Sequence, residues 1–354
     1  MNQIKKYFNK TQSIPIDIFF EKILYSKKFG YYTKINPFGK KGDFITAPSV
    51  SSLFGEMIAI WVIMQWQNLN SPSNFNVVEL GPGDGTLSKI LISTFKKFPN
   101  FFKSTNFFLY EKSENLKKIQ KKKLAREKIS WLSTFDEIKK GEVFFIGNEF
   151  FDAIPVKQFK RINGVLYERY VQIKKNLTVG YVSKKVPVQN ITQINKYKTF
   201  GKSKFFEFPE LGIKELEKII KKINSLNGGL LLIDYGYLKQ ISKSTLQSVK
   251  NHKKNPIFKN LGKADVTSLV NFQFLQEYFK KKKLKVAKIV SQSTFLKKNG
   301  ILERAEILSK NMNFTQKTDL YLRLKRILDK KFMGEIFKVI FVHKTKIKNP
   351  LGFE

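Results

Sequence analysis

The chain has no cysteine and only two histidines in 354 residues. Without cysteine there is no disulfide framework, no thiolate zinc site and no cysteine nucleophile, and no metal is expected. Long apolar runs are missing as well. The longest, MIAIWVIMQW from Met57 to Trp66, falls well short of the roughly 18 residues needed to span a bilayer, so no transmembrane segment is expected. MNQIKKYFNK at the start has neither the apolar run of a signal peptide nor the arginines a transit peptide favours, and the expectation is a soluble cytoplasmic protein. Acidic residues are scarce, 28 against 66 basic ones, for a net charge of +38. Arginine is scarcer still, with six against 60 lysines. Arginine is the residue that reads phosphates and bases bidentately, so the charge is read as solvated lysine faces, without a specific nucleic-acid partner.

What is present is an alternation of strand-like and helix-like segments from residue 75 onward. Apolar runs end at Leu80, Glu111 and Glu149, and helical spacing follows near 86–97 and 113–123, with a short strand near Ile129. Such alternation implies a parallel sheet covered on both faces. Residues 156–210 break the rhythm with VKQFKRI, VLYERYVQI and TVGYV, short β-like runs that suggest an antiparallel insertion between strands four and five. The alternation resumes with a helix at 211–226, a strand at 229–236, a helix at 265–280, a strand at 284–290, helices over about 292–331 and a last strand at 335–343. Ser13, Pro15 and IDIFFEKILYS read as a capped helix at the start. The expected division is an N-terminal helical cap and lid loop (1–74), a first catalytic part (75–155), the β-rich lobe (156–210) and a second catalytic part (211–354).

NVVELGPGDGTL, residues 76–87, is the most informative stretch. An apolar run, a glycine turn and LSKILISTF make a strand, a tight turn and a helix. The dinucleotide fingerprint G-x-G-x-x-G fails, because with Gly81 and Gly83 as its first members the third position is Thr86. The spacing is instead E-x-G-x-G-x-G, with Glu79 ending the strand before Gly81, Gly83 and Gly85, and it resembles the first motif of class I S-adenosylmethionine-dependent methyltransferases. Glu111 closes the second strand, where an acid accepts from ribose hydroxyls in Rossmann-like sites. GNEFFDAIP, residues 147–155, puts Asn148, Glu149 and Asp152 at the end of the fourth strand, where such sheets open their ligand crevice, although a turn with Asp152 as a helix cap is the structural alternative.

Eight ordered segments extend this likeness along nearly the whole chain: FGYYTKINPFGKKGDFITAP, LFGEMIAIW, VVELGPGDGTL, GNEFFDAIPVKQF, LLIDYGY, TLQSVKNH, GKADVTSLVNF and MGEIFKVI. They resemble the motifs of the MidA-like protein-arginine methyltransferases, a family that includes a mitochondrial factor methylating a core subunit of respiratory complex I. The resemblance implies an α/β fold, a class I methyltransferase Rossmann-like sheet with an N-terminal helical cap and a β-rich insertion. It implies S-adenosylmethionine at Gly81, Gly83, Gly85 and Glu111, with Glu79, Asn148 and Gly42 assigned beside them, and a GDFITAP loop, Gly42–Pro48, closing over the site. Ser49, Asp84 and Asn271 depart from the pattern, which expects an acidic, a basic and an aspartate residue there.

The expected reaction is methyl transfer to an arginine of a protein partner, a complex I subunit by resemblance, with a homodimer left open. A sulfonium methyl is already an activated electrophile, so the protein needs to supply only alignment. An arginine acceptor is protonated and must be polarised by carboxylates, for which Glu149 and Asp152 are the candidates and Asp43 a third. His252 and Asp234 are weaker candidates and His343 is read as structural. The rivals are a methyltransferase acting on nucleic acid or a small molecule, and a non-catalytic assembly chaperone that keeps the cofactor fold.

Overall fold

In the computed structural model, residues 7–8, 12–34, 37–39, 42–174, 178–201, 203–348 and 350–353 are described. The chain divides into two compact units, one of residues 1–44, 151–217 and 237–281, the other of residues 45–150, 218–236 and 282–354.

The first unit is built on an antiparallel sheet. Its strands Ser13–Pro15, Val165–Ile173, Lys157–Ile162 and Phe205–Phe208 lie side by side in that order, with Val179–Lys185 also paired to Val165–Ile173. This is the β-rich insertion, and in Val165–Ile173 the buried residues Leu166, Glu168 and Val171 stand between partly exposed ones. Helices α1 (Ile16–Tyr25) and α2 (Tyr31–Lys34) pack in the same unit. The expected Ser13 cap is not what starts α1. Ser13–Pro15 is spent on a ladder with Tyr170–Gln172, and α1 begins after Pro15, whose fixed φ of −52° needs no side-chain cap. The helix expected over 265–280 forms only from Phe272 to Lys281. Asp265–Thr267 is a strand paired with Gln247–Val249, because Val266 and Thr267 favour extended backbone and Asn271 Oδ1 accepts from Phe274 N at 3.0 Å, fixing a later start.

The second unit carries the main sheet. Its strands are β1 (Phe75–Leu80), β2 (Thr105–Tyr110), β3 (Ser130–Leu132), β4 (Glu142–Asn148), β5 (Gly228–Tyr237), β6 (Lys285–Val286) and β7 (Phe337–His343). They lie in the order β3-β2-β1-β4-β5-β7-β6. Pairings from β3 to β5 are parallel, and β7 is antiparallel to both β5 and β6. This is the expected α/β, Rossmann-like sheet. The order reverses between β1 and β4, so the carboxyl ends of β1, β2 and β4 open at a topological switch point. The strand expected over 284–290 is broken into Lys285–Val286 and Val290–Ser291, both on β7, with Ala287 N reaching the Phe341 carbonyl.

Helix α3 (Ser52–Asn68) is apolar on nearly every side and buried accordingly. Its Trp61 is fully buried, donates Nε1–H to the Leu351 carbonyl at 3.0 Å and meets Phe341 edge to face at 4.8 Å. Burial of a ring this size is worth a few kcal/mol, roughly 3 at 25 cal/mol per Å². Helices α4 (Thr86–Phe95) and α5 (Glu114–Lys123) follow β1 and β2.

Candidate active site

Beyond β1 the backbone turns through three left-handed glycines, Gly81 (φ +60°), Gly83 (+56°) and Gly85 (+79°). Gly81 N–H donates to the Tyr110 carbonyl at 2.9 Å, and a Cβ added at Gly81 would stand 3.1 Å from the Phe150 ring. Gly85 is the residue before α4, where left-handed backbone favours glycine. Asp84 is accounted for by two bonds. Its Oδ1 accepts from Thr86 N at 3.0 Å, and its Oδ2 pairs at 2.6 Å with Lys123 of α5, which also donates to Thr86 Oγ1.

Glu79 and Glu111 end β1 and β2 as buried carboxyls. Glu79 accepts from Ser88 Oγ at 2.5 Å, and Glu111 accepts from Ser113 N at 2.7 Å and Gln120 Nε2 at 3.2 Å. Burial pushes Glu79 up to about 8 and Glu111 up to about 7, against the pull of those hydrogen bonds, and the charges of Asp84 and Glu111 raise Glu79 further. Gln120 ties the two halves together, because its Nε2 also donates to the Gly83 carbonyl at 2.8 Å while its Oε1 accepts from Trp131 Nε1 at 2.9 Å. Sequence reasoning missed Gln120 and Trp131. The available signal was a buried-face spacing of four from Leu116 in a helix otherwise full of lysine.

Asn148 at the end of β4 donates weakly to Glu149 at 3.4 Å, and its buried Oδ1 has no hydrogen-bonding partner among the described residues. A ligand that carries a cation, ribose hydroxyls and an amide-sized donor would answer these features: two buried carboxyls above their ordinary range, a turn with glycine at every other position and an orphaned oxygen. The residues present therefore fit S-adenosylmethionine.

Glu149 belongs to the second unit, at φ +50° with its N–H donated to the Ile233 carbonyl at 2.9 Å. A non-glycine residue held there is strained, and such strain persists where surrounding structure enforces it. Asp152, Asp43 and Gly42 belong to the first unit. Asp152 is buried in a turn, not at a helix start, and its carbonyl accepts from Ser268 N at 3.2 Å. Asp43 is also buried. Its Oδ2 accepts from Tyr31 hydroxyl at 2.5 Å and its Oδ1 from Asn251 N at 2.6 Å. His252 N donates to the Asp43 carbonyl at 3.2 Å, so His252 reaches this loop through its backbone, from a hairpin turn in which Asn251 and His252 both have positive φ. Lys40 and Lys41, just before the expected lid, lie outside the described residues.

A third buried acid of this unit, Asp265, was not singled out in the sequence. Its Oδ1 accepts from Tyr32 hydroxyl at 2.9 Å and from Val266 N at 2.9 Å, and burial, with the charges of Asp152 and Asp43, pushes it up to about 7. In the second unit, Asp234 on β5 is buried and accepts from Tyr235 N. His343 is buried, stacked on Phe341 at 4.8 Å and pushed down to about 4 by burial, a structural histidine as expected. A cavity of about 490 Å³ lined by Gly141, Glu142, Asn227 and Lys344 opens at the amino ends of β4 and β5, the wrong end of the sheet for the crevice.

Residues 57–290 match the family model described as "Putative S-adenosyl-L-methionine-dependent methyltransferase". The chain is 28% identical over 356 residues to the mitochondrial protein arginine methyltransferase NDUFAF7 of Homo sapiens, covering 92% of this chain and 79% of that protein. It is 30% identical over 278 residues to the NDUFAF7 homolog of Caenorhabditis elegans, covering 71% and 65%. The fold matches a Burkholderia thailandensis protein solved with S-adenosyl-homocysteine, with a TM-score of 0.82 and 20% identity over 99% of this chain and 92% of that one. The expectation of a cytoplasmic protein does not stand, because these relatives from Homo sapiens and Caenorhabditis elegans are named as mitochondrial. The residue content of ten N-terminal positions was too little to decide a compartment. Among the described residues no helix is long and apolar enough to cross a membrane. The E-x-G-x-G-x-G turn, the paired strand-end carboxyls and the match over residues 57–290 together make the chain a member of this family of S-adenosylmethionine-dependent methyltransferases.

Proposed function

We propose that this protein methylates an arginine of a protein partner, a subunit of respiratory complex I during its assembly. The observation that carries the reading is the likeness to named protein arginine methyltransferases over nine-tenths of the chain, with NEFFDA intact at the end of β4. The cofactor, when bound, supplies a methyl group on a sulfonium cation. Gly81, Gly83 and Gly85 would leave room for it, Glu111 would accept hydrogen bonds from its hydroxyls, and Glu79 and Asn148 would complete its surroundings. For the acceptor, Glu149 and Asp152 are each a candidate carboxylate to polarise the guanidinium, whose nitrogen would gain the methyl group and lose a proton to a carboxylate of this chain. Asp43, with both oxygens already engaged by Tyr31 and Asn251, serves to hold its loop.

The test is to purify Glu149→Gln and Asp152→Asn and measure cofactor affinity and arginine methylation on the same samples. Each variant is expected to keep the cofactor while methyl transfer falls at least ~100-fold, the scale of one general-base or electrostatic contribution. Full activity in both would remove these residues from the reaction. Mass spectrometry of complex I subunits from cells with and without the protein identifies the partner.

A further inference from the structure

Helix α2 presents two adjacent tyrosines, and each gives its hydroxyl to a buried aspartate of the first unit: Tyr31 to Asp43 at 2.5 Å and Tyr32 to Asp265 at 2.9 Å. Tyr32 is also stacked on Tyr25 of α1, with centroids 5.3 Å apart and planes 20° apart, and Tyr25 hydroxyl donates to the Ala153 carbonyl at 3.0 Å. The backbone of NEFFDA is thus tied to the same aromatic pair that holds Asp265. A second tie comes from the strand side, where Ser268, three residues after Asp265, donates its N–H to the Asp152 carbonyl. Tyr32 is buried, and that burial together with the charge of Asp265 keeps its phenol protonated, so that it remains a donor.

We propose that Tyr32 is a positioning residue for methyl transfer, its hydroxyl holding Asp265 so that Asp265 joins Asp152 in gripping the substrate guanidinium. The inference rests on the arginine reading above and gives Asp265 the place that the sequence suggested for Asp43. A planar guanidinium has five N–H donors, more than one carboxylate can satisfy, so a second fixed acid has a defined use. The groups facing Asp265 are Asp152, Asp43, Tyr31 and Tyr32, and the paired strand brings Gln247, Ser248 and Val249, none of which titrates.

The experiment is a carbon-13 carboxyl titration of the full chain labelled at aspartate, alone and with methylguanidinium as the probe, with signals assigned from Asp265→Asn and Asp152→Asn. The Asp265 midpoint, near 7 in the free protein, is expected to fall when methylguanidinium is added. In Tyr32→Phe, which keeps the ring and loses the donor, it is expected to lie about 1 unit higher, the scale of one hydrogen bond to a charged group. Asp265→Asn is expected to weaken methylguanidinium binding at least ~10-fold while its melting temperature at pH 8 holds or rises, since it removes a buried charge. Equal midpoints in wild type and Tyr32→Phe would overturn the proposal, as would a probe response at Asp152 with none at Asp265. A probe that moves neither acid would overturn the arginine reading itself. If Tyr32→Phe does not fold, Asp265→Asn decides: unchanged probe affinity, or a lower melting temperature, counts against the proposal.

Discussion

Gly83 is left-handed at φ +56°, inside the turn that the cofactor must approach. Valine there would be β-branched in a region that L side chains avoid, and would put methyl groups into the approach. Gly83→Val is expected to abolish calorimetric binding of S-adenosylmethionine and of its demethylated product, and NAD is expected not to bind the wild type. The strand-end acids give a second prediction. Glu111 is pushed up to about 7 in the free protein, and an acid that accepts from cofactor hydroxyls, as proposed for it, does so ionised. Binding must then release a proton below that pH, so cofactor affinity should rise from pH 6 to pH 8, approaching tenfold per unit at the acid end. Calorimetry in two buffers of different ionisation enthalpy would show the released proton, and equal heats would count against it. At this scale the glycines and the two acids were legible, because the motif is contiguous and chemically specific. Gln120 was not, because its value lies in bridging Gly83, Glu111 and Trp131, residues 37, 9 and 11 positions away.

Elements of regular period were read well, and those fixed by a partner strand were not. β1, β2, β4 and β5 stand where apolar runs end in acids or glycine, since buried parallel strands read as continuous apolar runs. Asp265–Thr267 was taken into a helix because its strand exists only by pairing with Gln247–Val249, which no local pattern announces. The loop before α3 offers an element-scale test. Residues 37–39 and 42–44 are joined by backbone hydrogen bonds, with Gly39 N donating to Phe44 O and Asp43 N to Pro37 O, and a Cβ at Gly42 would collide with the Pro37 carbonyl. Gly42→Ala is therefore expected to open this loop. Hydrogen exchange at Gly39, Asp43 and Phe44 should speed up at least ~10-fold while the amides of β1 stay protected, the pattern of local opening. Unchanged exchange would show that the loop adjusts.

For the whole molecule the buried acids set a pH dependence. Glu79 (about 8), Glu111 (about 7) and Asp265 (about 7) all titrate above their ordinary range in the folded chain. The folded state then holds protons that the unfolded state has released, so this stability is present at low pH and is lost as pH rises through 7 to 8. His343, pushed down to about 4, works the other way, gaining stability with pH, and that gain is complete near its ordinary value of about 6.5. The free protein's melting temperature is therefore expected to fall between about pH 6.5 and 8 in scanning fluorimetry, with S-adenosyl-homocysteine offsetting part of the fall. A flat profile would mean that these acids relax on exposure to water.

The sequence by itself determined the class of fold, the glycine turn, the places of the two strand-end acids and the family, because each rests on neighbours in the chain or on strand ends that periodicity locates. It also supplied the antiparallel insertion, whose VKQFKRI and VLYERYVQI runs alternate locally. Only the tertiary structure decided what Asp43 and Asp265 do. Asp43 is a single aspartate in a loop and Asp265 opens a short strand, and their surroundings come from Tyr31, Tyr32 and Asn251, up to 233 residues away along the chain. The ionisation of a carboxyl is set by the water it has lost and the donors it has gained, and both are properties of the packed interior that no local order of residues contains.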